Sequence, residues 1–107
     1  MLNRRTDPRK AIRMPATLVC RGAVWRVQTL DLGSSGICVL APRSIEPGSR
    51  CTVTLDVPLD DGPATVTASL KTIYSSYAAT DAFKIGARFI ELDDRVTDVL
   101  GRFMADD

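Results

Sequence analysis

Six short runs of alternating apolar residues, spaced roughly ten residues apart and separated by turn signals, limit this chain to an antiparallel barrel or sandwich. The first run carries Ile12, Met14, Ala16, Leu18 and Cys20 at the period of two that marks a strand with one buried face. Pro15 places it near an edge or a strand start. Arg21-Gly22 turns the chain into Val24–Leu32, where the two faces do not separate cleanly, and Gly33-Ser34-Ser35-Gly36 then breaks the pattern before Ile37–Leu40. Those four residues tolerate tight turns and positive φ.

A connector from Pro42 ends in the Pro47-Gly48 turn signal. Cys51–Val57 follows with Val53, Leu55 and Val57 on one face, and Asp60-Asp61-Gly62-Pro63 returns the chain as Val66–Tyr74, an antiparallel hairpin partner. Ser75–Ala82 lacks apolar periodicity and reads as a loop, and Lys84–Leu92 is the final strand. The period then changes. Val96, Val99, Leu100, Phe103 and Met104 recur at helical spacing, with Asp93 or Asp94 as the cap, so the tail reads as an amphipathic helix that packs on the barrel, the alternative being a free helix that docks a partner.

At 107 residues the chain supports one domain. The expected organisation is an arginine-rich flexible arm at 1–11, a six-stranded antiparallel β-barrel at 12–92 and a C-terminal helix at 93–105. Hydrophobic residues make up 45% and charged residues 25%, and no apolar run approaches the ~20 residues of a membrane span, so the expected compartment is the cytoplasm without direct membrane insertion.

With no histidine the commonest general base is absent, and no nucleophile–base pair or paired catalytic carboxylates stand out. An enzyme is therefore not expected. Cys20, Cys38 and Cys51 form no CxxC pair and read as reduced core residues rather than metal ligands. The net charge of +1 gives no field for coating nucleic acid.

The charge is unevenly placed: Arg4, Arg5, Arg9, Lys10 and Arg13 face a single acid, Asp7, in the first thirteen residues. Arginine's planar fork donates paired hydrogen bonds to a phosphate and stacks on bases. Pro8 keeps the segment extended or turned. The second candidate is Asp31-Leu32-Gly33-Ser34-Ser35-Gly36, a turn whose glycines let a ligand approach the backbone and whose carboxylate can accept hydrogen bonds. It lacks the ending of a Walker loop. Each signal alone is common: a basic terminus is often only solvated, and most glycine-rich turns are only turns.

Together, Arg5-xxx-Arg9 and Asp31-x-Gly-x-x-Gly36 resemble the PilZ domain family, whose signature is RxxxR followed by (D/N)xSxxG. Trp25, the Pro47-Gly48 turn, the Gly86-Ala87-Arg88-Phe89 strand and the closing helix add to the likeness, which covers essentially the whole chain. The resemblance implies a bacterial cytoplasmic receptor for the second messenger cyclic di-GMP, with no cofactor. Arg5 and Arg9 would grip phosphates and stack on guanine with Arg4 as helper, Asp31 would take a guanine edge, and Gly36 would permit the close approach. Ser34 or Ser35 would supply the hydroxyl of the ligand-binding turn if the turn is rearranged. The register Arg9-xxx-Arg13 also fits the first motif and ranks second.

Ligand binding would order the arm and signal to an unidentified effector protein. At the motif serine this chain has Gly33, which removes a hydroxyl donor worth about 1.5–3 kcal/mol, or roughly one to two decades of affinity. Restoring it by Gly33→Ser is expected to strengthen binding. The alternative reading is a PilZ-like protein-interaction module with weak or no nucleotide binding.

Overall fold

The computed structural model describes residues 8–105. Seven strands precede one helix: β1 (Arg9–Ala11), β2 (Pro15–Cys20), β3 (Ala23–Gly33), β4 (Gly36–Ala41), β5 (Arg50–Val57), β6 (Ala64–Ala79), β7 (Ala82–Ile90) and α1 (Asp94–Ala105). All pairings are antiparallel, in the order β3-β2-β5-β6-β7-β4, and β4 pairs back onto β3. The six long strands thus close into a barrel and leave no free edge among themselves. The short β1 pairs with the far end of β3, in line ahead of β2, with Arg9 opposite Gly33 and Ala11 opposite Asp31.

Alternation along the strands fills the interior. Leu18, Val53, Leu55, Val57, Val66 and Leu70 are all buried on β2, β5 and β6. The tail covers one end of that core with Val96, Val99, Leu100 and Phe103. Asp93 is the cap, its Oδ1 accepting from the Val96 amide at 2.8 Å. Arg95 donates to the Thr65 carbonyl and Arg102 pairs with Asp61, both at 3.0 Å, which fixes the helix beside the β5–β6 turn.

The mixed faces of β3 have a local cause. A bulge lies between Thr29 and Asp31. Before it the odd positions Val27 and Thr29 point inward; after it the even position Leu32 does. Buried Thr29 also holds the link between β1 and β2. Its hydroxyl donates to the Ile12 carbonyl and accepts from the Met14 amide at 3.1 Å.

Ser75–Ala82 is not a loop. β6 continues to Ala79 and β7 begins at Ala82, making a hairpin that outruns the core. Bulges between Thr72 and Tyr74 and between Tyr77 and Ala79 shift its parity. Its residues are largely exposed on both faces, so no alternation marks it. An edge-to-face contact between Tyr77 and Phe83, with centroids 5.8 Å apart, braces the extension.

Candidate functional site

The bulge in β3 determines what the site contains. Without it Asp31 would follow Val27 and Thr29 into the barrel; with it the carboxylate emerges on the outer wall, where Ala11, Asp31, Cys38, Gly86 and Tyr74 stand opposite one another on β1, β3, β4, β7 and β6. The next row runs from Gly36 through Arg88 and Lys71 to Arg50. Gly33-Ser34-Ser35-Gly36 joins β3 to β4 beside these rows, and the Ser35 carbonyl accepts from the Phe89 amide at 2.9 Å.

Arg9 reaches the same place from β1. Its Nη1 lies 3.0 Å from Asp31 Oδ1, a charge-assisted hydrogen bond between the two motifs read from the sequence. The side chain runs over the turn on its way, and both glycines are defined by it. A Cβ on Gly33 would stand 2.7 Å from the Pro8 carbonyl oxygen and 3.0 Å from Arg9 Cγ. One on Gly36 would stand 2.6 Å from the Ala87 carbonyl oxygen and 2.6 Å from Arg9 Nη2. Neither glycine has a positive φ; the positive-φ glycines are Gly22, Gly48 and Gly62. Space, not backbone conformation, is what Gly33 and Gly36 supply.

This geometry alters the expectation for Gly33→Ser. Pro8 and Arg9 fill the volume that a serine Cβ needs, so the hydroxyl cannot be added without moving β1. Ser34 is exposed and Ser35 half-buried in the bend. Arg4 and Arg5 lie outside the described residues. Arg13, from the second register, is exposed in the link between β1 and β2.

Several residues of this wall escaped the motif reading. Lys71, Lys84 and Arg88 are exposed on it, and the Tyr74 phenol lies 3.6 Å from Cys38 Sγ. Burial pushes the Cys38 thiol up, and the Asp31 charge adds to that. Tyr74 is pushed up to about 12, first by burial, then by its contact with Cys38 and by Asp31. It is a neutral phenol at any physiological pH. Tyr74 could be found only from the hairpin register, because simple alternation from Lys71 puts it on the inner face with Thr72 and the bulge after Thr72 brings it to the outer one.

The site is therefore an open, cation-rimmed wall with a carboxylate, beside a turn whose two glycines lie under Pro8 and Arg9. It offers guanidinium and ammonium donors to phosphate and a carboxylate acceptor to a polar ring edge.

The comparisons with known proteins agree with this architecture. The family model of the PilZ domain matches residues 3–106. The inhibitor of motility MotI (DgrA) from Bacillus subtilis is similar in structure, with a TM-score of 0.79 at 13% identity over 96% of this chain. This chain spans about half of that one, 51%. The PilZ domain of YcgR from Escherichia coli, in a structure with c-di-GMP, has a TM-score of 0.71 at 16% identity, covering 94% of this chain and 88% of that one. PlzA from Borreliella burgdorferi, in complex with c-di-GMP, has a TM-score of 0.66 at 16% identity, covering 94% and 41%. No curated protein matches this chain in sequence.

Proposed function

The chain belongs to the PilZ domain family, and we propose that it is a receptor for cyclic di-GMP, a binding module rather than a catalyst. The observation that carries this reading is the Arg9–Asp31 contact at 3.0 Å over the Gly33–Gly36 turn, which unites the two motifs in one place. The c-di-GMP complexes of YcgR and PlzA support the choice of ligand.

In this reading the phosphates of cyclic di-GMP compete with Asp31 for Arg9, and Arg5, with Arg4 as helper, joins the grip from the preceding arm. Freed from Arg9, the Asp31 carboxylate accepts from the N1 and N2 donors of a guanine edge. Gly36 keeps the backbone open to the ligand, and Ser34 and Ser35 offer hydroxyls at the turn. Ordering of the arm over the wall changes the surface offered to an effector protein.

Isothermal titration with cyclic di-GMP tests this directly. Micromolar affinity is expected, lost in Arg5→Ala and Arg9→Ala. Unchanged affinity in both variants would place the ligand elsewhere.

A second reading, an interaction module that works without nucleotide, is favoured by one observation: Pro8 and Arg9 pack against Gly33 where the motif serine would stand. No heat signal from the unmodified protein selects it.

A further inference from the structure

Tyr74 does more than cover the barrel wall. It sits on β6 opposite Gly86 of β7, and its side chain lies back over that glycine so closely that a Cβ there would be 2.1 Å from the ring's Cε2. The phenol oxygen continues to β4, 3.6 Å from the sulfur of Cys38, and Cys38 is directly opposite Asp31. The ring thus spans from β6 to β4 along the wall. Neighbouring strands are ~4.8 Å apart, so its hydroxyl end stands about one strand short of Asp31. One side of the ring rests on the Gly86 backbone, yet the residue remains 43% exposed.

Covering a cross-strand glycine is a known structural use of an aromatic residue. The surroundings add what that use does not need. Lys84 lies one row to one side, Arg88 and Lys71 one row to the other, and the Arg9–Asp31 pair stands at the end of the ring. A planar ring lying along the wall, cations on both flanks and a carboxylate off one edge match a purine nucleotide in shape and charge.

We infer that Tyr74 is the stacking platform for one guanine of the ligand, the base whose donor edge is taken by Asp31. The inference rests on the cyclic di-GMP reading and adds to it a base-contacting residue outside both motifs. A base stacked on the exposed side of Tyr74 lies over the end of the wall where Asp31 stands, within reach of its carboxylate from above. Lys71 and Arg88 then face the ligand's phosphates from the side opposite Lys84.

The test is titration of cyclic di-GMP into the full chain, the Tyr74→Phe variant and the Tyr74→Leu variant, with thermal melting to establish that each is folded. Leucine retains an apolar cover over Gly86 without an aromatic face. Phenylalanine is expected to bind within about twofold of the unmodified protein, and leucine about tenfold more weakly, or ~1.4 kcal/mol. In parallel, the ligand's guanine H8 resonance is expected to move upfield on binding to the unmodified protein and to Tyr74→Phe, through the ring current, and not on binding to Tyr74→Leu.

Leucine binding as tight as the unmodified protein, or the same H8 shift in all three, overturns the inference and leaves the arginine-dependent receptor standing. Absence of binding by the unmodified protein removes the receptor reading and this inference with it.

Discussion

Arg9 and Asp31 lie twenty-two residues apart in sequence and 3.0 Å apart in space, so the arginine expected to grip a phosphate and the carboxylate expected to take a guanine edge hold each other. Their side chains are 22% and 31% exposed, and an ion pair in that setting is worth about 0–1 kcal/mol. Asp31→Ala is therefore expected to leave thermal stability nearly unchanged while lowering cyclic di-GMP affinity tenfold or more, since a paired acceptor for the base is gone. Melting curves and titration on the same preparation check both halves. A large fall in stability with unchanged affinity would make the pair structural.

Gly33→Ser carries a prediction opposite to the motif-based one. Its Cβ meets backbone at Pro8, which cannot yield as a flexible side chain would. We expect about 1–3 kcal/mol of destabilisation from overpacking, or release of β1 from β3. Hydrogen exchange across Lys10–Ala11 distinguishes the two outcomes. Tighter ligand binding with β1 still protected would show that the turn adjusts instead.

Gly86→Ala is expected to push the Tyr74 ring from its seat, because the new methyl would overlap Cε2. Cys38 is 1% exposed beneath that ring. Its thiol, held up by burial, is expected to react slowly with an alkylating reagent in the unmodified protein and faster once the ring is displaced. Mass spectrometry of the alkylated peptide reads the rate.

The Tyr74 phenol sets a pH dependence. Its pKa rises from an ordinary 10.0 to about 12, so the folded state retains the proton more firmly than the unfolded chain. The resulting stabilisation is complete below pH 10 and is lost as pH climbs to about 12. Tyr74→Phe has no such proton. The stability difference between the unmodified protein and this variant is expected to be flat below pH 10 and to decline above it, as followed by denaturant melts. A difference that stays flat to pH 12 would contradict a phenol held neutral by its place against Cys38.

What was legible in the sequence follows from the range of each signal. Alternation in Cys51–Val57 and helical spacing in Val96–Met104 are local patterns, and both elements stand where those patterns place them. The two motifs announced Arg9, Asp31 and Gly36 through residue type and spacing. The β6–β7 extension was missed because strand residues exposed on both faces carry no hydrophobic period, as Ser75, Ser76 and Tyr77 illustrate. Bulges were the other blind spot. A bulge adds one residue to a strand without a residue type of its own, yet the one at Thr29/Asp31 decides whether a carboxylate faces core or solvent, and the one after Thr72 decides where Tyr74 lies.

β1 faces two ways. While Arg9 turns to Asp31, the next residue, Lys10, donates from Nζ to the Phe103 carbonyl at 2.7 Å and lies 5.1 Å from the centre of the Phe103 ring. The cation thereby donates to a carbonyl of the last turn, at the negative end of α1. Positions 10 and 103 are thus neighbours, so the first described strand and the last helical turn meet at one corner of the molecule. The residue that anchors the candidate site to Asp31 is therefore the direct neighbour of the residue that ties β1 to α1.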